Sequence, residues 1–463
     1  MNFRMKLIPA LVAVALSGGA HAASTNFDNF TALIGDVGAG TLPETAPYRL
    51  SSPNFSQVSI ADRATQLGLG ELNSGNWDMI AANESGASAG RYLFNPFEQF
   101  NADIPTAGVQ RHDLVTGLTK TIVAPGTKGF TAGDASRWTP WGSYLTAEEN
   151  WNAAGSLTGT KGRLFEITNP TADAGSINFV HRSVIPRVSH EGLAFDNNKN
   201  LYFIDELNGG GIYKYTSANP NASNGDDFFA AGQTSVLKVG AGGNSRATGS
   251  FGWAAITDAS GNALAGVNTV DGSVDGRQAQ DVTVSTSYNR PEDMEVQTLA
   301  DGTQVLYFTE TTDHEVYSMN LATNEIKLFA SQATFDMATG AAAGTQFKNP
   351  DNLAIDAEGN MYIVEDQDGG VEDIWFAKDA NKDGVADSIG KWMSLSTAGA
   401  ESTGLYFSKV NPNLAYVNVQ HPTSGVDRTM QITAAVPEPE TYAMMGVGLG
   451  MLGFMARRRA KRG

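Results

Sequence analysis

The chain of 463 residues has no cysteine, and its six histidines are scattered, so neither disulfides nor a His/Cys metal site can be built from it. An oxidising compartment therefore holds no hazard, and stability must come from a packed core. Basic residues are scarce as well: 31 Lys and Arg stand against 49 Asp and Glu, a formal net charge of −18. Both termini are basic, so the body between them is more acidic still. Such a field repels nucleic acid, and metal cations are its natural counter-charge. Helical periodicity is rare, no HExxH pattern occurs, and long apolar runs are confined to the two ends.

The N-terminus MNFRMKLIPALVAVALSGGAHA carries Arg4 and Lys6, then an apolar run from Leu7 to Leu16, then Ala20-His21-Ala22. This is the pattern of a signal peptide, residues 1–22, cut after Ala22. The alternative, a membrane anchor, has an apolar run shorter than the ~20 residues a spanning helix needs. At the other end Pro437-Glu438-Pro439 precedes an apolar stretch from Tyr442 to Ala456 and a basic cluster from Arg457 to Arg462. That order resembles the PEP-CTERM sorting signal. The resemblance implies that the tail, residues 436–463, holds the protein in the inner membrane as a transmembrane segment until an exosortase cuts near the Pro-Glu-Pro. Export to the cell surface or extracellular matrix follows. An uncleaved tail anchor is the competing description.

Residues 23–435 are left as the folded body. Gly is frequent, and short Val/Ile/Leu/Tyr/Phe runs alternate with turns such as Asp196-Asn197-Asn198, Asp301-Gly302 and Glu358-Gly359, which predicts mostly β-structure. TPWGSYLTAEEN (139–150), SHEGLAFDNNKNLYFIDEL (189–207), RPEDMEVQTLADGTQVLYFTETTDHEVYSM (290–319), NPDNLAIDAEGNMYIVEDQDG (349–369) and ESTGLYFSKVNPNLAYVNVQHP (401–422) share one plan. Polar residues lead into a short apolar strand, a turn, a second apolar strand and an acidic or polar end. The copies recur at roughly fifty to sixty residues, which predicts propeller blades. With a further unit from Arg91, the expected fold is an all-β, six-bladed β-propeller, five or seven blades remaining open. The span Ser217–Ser287 reads as an insertion or a degenerate blade, and 23–89 as a lid or the closure of the ring.

In a propeller, equivalent positions of all repeats converge at one channel mouth. The stacked copies place Glu148, Glu149, Glu191, Asp205, Glu206, Glu292, Asp293, Glu310, Asp351, Asn352, Glu365, Asp366 and Glu401 there. So many carboxylates in one low-dielectric channel repel one another, and oxygen-seeking cations offset that, calcium above all. The alternative is that each acid caps a turn and faces water. His190 and His421 are each read as either an orienter of a neighbouring acid or a packing residue.

The blocks TPWGSYLTAEEN, HEGLAFD with LYFIDE, RPEDMEV with LYFTET, NPDNLAID, and ESTGLYF with VNVQHP resemble the successive blade motifs of the PhoX alkaline phosphatases, across 134–422. That resemblance implies an exported six-bladed propeller hydrolysing phosphate monoesters with calcium and iron. It implies Arg290 and Glu292 at the phosphate site, Arg290 being suited to bidentate phosphate contact. As metal ligands it implies Glu148 or Glu149, Glu191, Asp205 or Glu206, Glu292, Glu310, Asn352 and Glu401. Family members carry a cysteine before TPWG that binds iron; here GDASRWTPWG has Asp134, a hard oxygen ligand better matched to calcium. A second calcium loop is suggested by DANKDGVADSIG, with Asp379, Asn381, Asp383 and Asp387 in D-x-N-x-D-G spacing, although Gly390 stands where an EF-hand has glutamate. The expected function is a metal-dependent phosphohydrolase acting on a phosphate ester. The alternatives are a non-catalytic calcium-stabilised propeller binding matrix polysaccharide or a surface partner, and a lactonase-like enzyme.

Overall fold

The computed structural model describes residues 24–99, 106–151, 161–367 and 371–435; the leader and the sorting tail lie outside the described residues. Each repeat folds as an antiparallel hairpin. Gly133–Trp138 pairs with Tyr144–Glu148, Leu193–Phe195 with Leu201–Ile204, Pro291–Thr298 with Gln304–Glu310, Pro350–Ile355 with Met361–Glu365, and Glu401–Phe407 with Leu414–Gln420. The turn chemistry is legible in two of them. Asp196 accepts from the Asn200 amide at 2.8 Å and from the Tyr202 hydroxyl at 3.1 Å; Asp356 does the same with Asn360 at 3.0 Å and Tyr362 at 3.2 Å. The same D-x-x-x-N-x-Y spelling thus closes both hairpins, with Lys199 and Gly359 in the left-handed conformation at φ 60° and 77°.

Third and fourth strands extend each hairpin outward, giving three four-stranded sheets, one of five strands and one of nine, besides two two-stranded ribbons. The nine-stranded sheet joins the 193–239 and 291–331 units through Gly249–Ala255, which meets Glu325–Ser331 over only two residue pairs. The fold is therefore all-β with a propeller-like arrangement. Ala81–Ala82 and Tyr92–Pro96 begin the first sheet. The N-terminal segment is structural: Tyr48–Leu50 adds to Ser388–Leu395, and Phe55–Asp62 is the outer strand beside Arg428–Ala434, so the last sheet is completed by the start of the chain. Within 217–287, Gly232–Val239 supplies a fourth strand, and helix Gly276–Thr283 starts at the Asp275 cap, whose carboxylate accepts the Gln278 amide at 3.0 Å.

Apolar clusters fill the gaps between successive sheets. Trp392 and Tyr362 pack against Phe407 and Val417, Trp375 and Ile363 against Tyr307, and Ile80 and Leu93 against Tyr416, where the first and last sheets meet. The innermost strands approach very closely. A Cβ on Gly404, whose φ is 60°, would lie 2.6 Å from the Asp78 carbonyl oxygen, and one on Gly192 would lie 2.5 Å from the Met294 nitrogen. Side chains beside these glycines therefore crowd into a narrow channel. Among the described residues no helix is long and apolar enough to cross a membrane, and the apolar run 442–456 lies outside them.

Candidate metal centre at the channel mouth

Where the innermost strand of a unit meets its neighbour at the mouth, the register is Gly133 opposite Glu148, Pro291 opposite Glu310, Pro350 opposite Glu365 and Glu401 opposite Gln420. Strand side chains alternate in direction, so the acid in such a pair and the residue after it have different surroundings. The expected ring of equivalent acids is in fact two sets with two uses.

The first set ends the second strands and ties down the backbone entering each unit. Asp205 accepts the Ser189 amide at 2.9 Å, Glu365 the Lys348 amide at 2.9 Å, Glu148 the Thr131 amide at 3.3 Å, and Glu310 the Asn289 amide. In each case the donor lies just before the innermost strand. These carboxylates are largely satisfied. Arg163 pairs with both oxygens of Glu148, Arg277 reaches Asp205 at 2.7 Å, and Glu365 also accepts the Trp375 indole N–H at 2.8 Å and the Gln367 amide at 2.7 Å. The structure thus spends Glu148, Asp205 and Glu365 on fixed hydrogen bonds, while Glu310 faces Arg246 at 3.5 Å and keeps Oε2 without a hydrogen bond.

The second set converges on the channel. From the innermost strands come Asp134, Glu292 and Asp351, and from just before them Asp78 and Glu191; from just past the second strands come Glu98, Glu149, Glu206 and Asp366. Asp134 is 1% exposed and Glu292 2%. Oxygen atoms of Glu191, Glu206 and Glu292 lie within 4.8 Å of one another, as do those of Asp78, Glu98 and Glu401, and those of Asp366, Glu372 and Glu401. Burial first, then the charges of neighbouring carboxylates, hold Asp78, Asp134, Glu149, Glu191 and Asp351 well above the usual carboxylate range. Burial likewise pushes Glu98 up to about 7, Glu292 to about 8 and Asp366 to about 7. Burial also works to raise Glu401, but the His421 hydrogen bond and charge outweigh it and leave that carboxyl below its ordinary value.

Three of these acids escaped the sequence reading. Asp78 sits in NWDMIAA, which starts the first innermost strand within the stretch left open as lid or closure, and Glu98 follows the second strand of the same unit. Aligning the 77–98 hairpin with its sisters would have found both. Glu372 enters from a third strand, accepting the Ser402 amide at 2.6 Å, and no repeat position signals it. Asn352 and Asp293 act as staples between innermost strands: Asn352 Oδ1 accepts the Gly404 amide at 2.6 Å, and Asp293 accepts the Leu353 amide at 2.9 Å. Asn352 also reaches Glu191 at 3.5 Å through Nδ2.

Arg290 lies among the acids, in the left-handed region at φ 56°. Its Nε is 2.6 Å from Glu206 and 2.9 Å from Glu292, and Nη1 is 3.4 Å from Asp366. Burial disfavours its charge, but Glu292 and Glu206 more than compensate, so it stays a guanidinium. Although engaged by these acids, it is still 38% exposed and so open to solvent. His421 stands 3.2 Å from Glu401, and its Nδ1 is 2.9 Å from the Gly399 carbonyl oxygen; the Glu401 hydrogen bond raises it to about 9. His190 is fully buried against the Phe203 ring, ring centroids 5.2 Å apart, and burial drops it to about 3.

These residues fit hard cations. Asp78 Oδ1, Asp134 Oδ1, Glu149 Oε2 and Glu191 Oε2 are buried with no hydrogen-bond partner among the described residues. Uncompensated buried carboxylate oxygens cost about 1–3 kcal/mol each, and more when charged, unless protonated or ligating. The ligand atoms these clusters offer are all carboxylate oxygens, and such a donor set suits calcium. The 379–390 loop differs. Asp379 accepts the Gly384 amide at 2.9 Å, Asp383 the Val385 amide at 2.9 Å and Asp387 the Ala380 amide at 2.8 Å, while Asn381 accepts from Asp383 at 3.1 Å. Its side chains are engaged in closing the turn. One motif passed over in the sequence is Gly86-Ala87-Ser88-Ala89-Gly90, which spells Gly-x-Ser-x-Gly; Ser88 only accepts from Asn83 Nδ2, in an exposed turn, and has no histidine partner among the described residues.

A family model described as alkaline phosphatase PhoX matches residues 128–423, and a PEP-CTERM protein-sorting motif matches 435–459. No curated protein matches. Among solved structures, Pseudomonas fluorescens PhoX in complex with vanadate, a transition state analogue, is 16% identical, with a TM-score of 0.62, over 88% of this chain and 98% of its own. A Bacteroides thetaiotaomicron protein of unknown function is 12% identical over 82% of this chain and 76% of its own, with a TM-score of 0.41. The calcium-binding protein regucalcin from Agrobacterium tumefaciens is 12% identical over 77% and 91%, with a TM-score of 0.39.

Proposed function

The chain belongs to the alkaline phosphatase PhoX family, and from that premise we propose that it is an exported, surface-sorted phosphohydrolase acting on phosphate monoesters with metal ions at the channel mouth. One observation carries this: a guanidinium, Arg290, set among converging buried carboxylates whose free oxygens ask for cations. Taking the nine-stranded sheet as two blades gives six over a domain of 23–435. The metal-holding residues are Asp78, Glu98, Asp134, Glu149, Glu191, Glu206, Glu292, Asp366 and Glu401, with calcium the cation of choice and iron disfavoured by aspartate at position 134. Bound cations would supply Lewis-acid stabilisation of charge on the phosphoryl oxygens. Arg290 binds and orients the phosphate by bidentate donation, which requires it to exchange its carboxylate contacts for the incoming oxygens. Glu206, Glu292 and Asp366 hold it in place before that exchange.

Sorting follows from the tail: transient anchoring in the inner membrane, cutting by an exosortase, and release to the surface. A second description is favoured by Asp134 alone. If losing the family thiolate removes catalysis, a calcium-stabilised binding propeller is left. Assays with p-nitrophenyl phosphate, a phosphodiester and a lactone, each with calcium, with iron and with chelator, separate the two. Monoester turnover abolished by chelation is expected; no turnover under any condition, with calcium still raising Tm, would leave the binding module.

A further inference from the structure

The polypeptide leaves the ring on the face opposite the carboxylates. Glu401–Phe407 runs away from the mouth, Leu414–Gln420 returns to it, and Arg428–Ala434 runs away again, antiparallel at each step. The Ala434 amide donates to the Asn413 carbonyl at 3.0 Å and the Ala435 amide to that of Asn54 at 2.8 Å, which pins residue 435 beside the far-face turn between Phe407 and Leu414. The other end of the body is there too: both the backbone and side-chain nitrogens of Asn26 donate to Asn413 Oδ1 at 2.9 Å. Leader and tail, the two segments that meet the membrane, thus attach to one face.

The connection to the apolar run is short. Only residues 436–441 separate Ala435 from the run that begins at Tyr442, and a fully extended link of that length spans at most ~25 Å. The innermost strand Glu401–Phe407 alone spans ~20 Å from mouth to far face. With the mouth turned to the bilayer, that link would have to climb the full ~20 Å of the ring, round its edge and still cross several Å of headgroup layer, more than its reach.

We infer that, while the tail holds the chain in the membrane, the metal-lined mouth points away from the bilayer, so the tethered protein admits substrate as the released one does. Cutting the tail then relocates the activity without switching it on. This rests on the sorting-tail assignment above.

The absence of native cysteine allows a direct test with single cysteines in the full chain, expressed in a host without exosortase. Thr312→Cys lies in the exposed turn after Glu310 at the mouth, and Asn411→Cys in the exposed far-face turn. Spheroplasts are treated with a bulky polyethylene glycol maleimide, and labelling rates are compared with those of chain released by co-expressed exosortase. The cysteine at 312 is expected to react equally fast in both forms, and that at 411 severalfold more slowly when tethered. Tethered and released chains are expected to show the same kcat/KM for p-nitrophenyl phosphate. Equal labelling at both positions in the tethered form, or protection at 312, overturns the inference. Recovery of the uncut chain in the soluble fraction overturns it together with the tail assignment. Absence of turnover in both forms counts against the phosphatase alone, and labelling still decides the orientation.

Discussion

Stripping divalent cations from the protein is expected to destabilise it increasingly as pH rises. In the cation-free fold, burial and neighbouring charge hold Glu98 and Asp366 at about 7 and Glu292 at about 8. An unfolded chain titrates such groups near ~4, so between those values the folded state binds more protons than the unfolded state. Their contribution is fully present below about pH 4 and is lost as pH rises through about 7 to 8. For Glu98 alone, moving from 4.5 to about 7 corresponds to about 3 kcal/mol once the group is ionised. In a domain of this length that lowers Tm by roughly 3–4 °C, and the other carboxylates deepen the loss. Calcium reverses the sign, because ligating carboxylates are ionised in the fold and bind fewer protons than in the unfolded chain. Thermal unfolding by calorimetry across about pH 5 to 8.5, in chelator and in calcium, reads both slopes. Tm should fall with pH in chelator and stay level or rise in calcium. A chelated protein whose Tm rises with pH, or one indifferent to calcium, would refute the convergence of these acids.

Arg277→Ala should cost about 3–5 kcal/mol in chemical unfolding, because it strands the fully buried Asp205 carboxylate; a loss below 1 kcal/mol would show that another cation replaces it. Arg290→Ala should abolish monoester turnover while leaving the calcium-induced rise in Tm nearly intact, and activity persisting in that variant would remove Arg290 from the phosphate site. Asp379→Ala should lower stability by about 1–2 kcal/mol equally with and without calcium, because the carboxylate closes a turn onto Gly384 and Asp383; a calcium-dependent difference would restore that loop as a cation site.

Much of the architecture was written in local spacing. The strand–turn–strand plan, the D-x-x-x-N-x-Y turns and the alternation of apolar residues are short-range features, and they folded as hairpins where expected. The carboxylate ring was legible as a convergence but not as two sets. One residue just past a strand separates Asp205, held by Arg277, from Glu206, which lies with Glu191 and Glu292, and only the partners each meets in the fold distinguish them. Arg277 comes from helix Gly276–Thr283, inside a Gly/Ala/Ser/Asn-rich span with no repeat signal, so the partner that satisfies Asp205 was invisible in the sequence. Glu372 was missed for a similar reason: its place at the mouth depends on a contact with Ser402 of the next sheet. Asp78 and Glu98 had a signal, the hairpin of the first sheet, but a glycine- and serine-rich flank hid the short innermost strand Ala81–Ala82.

The central claim is that cations held by these carboxylates, together with Arg290, hydrolyse phosphate monoesters. Calcium titrated into metal-free protein, with bound calcium and p-nitrophenyl phosphate turnover followed in one sample, tests it most directly. Turnover should appear in step with calcium occupancy and vanish on chelation. Calcium binding that saturates without any turnover, whether or not iron is also supplied, would contradict the account.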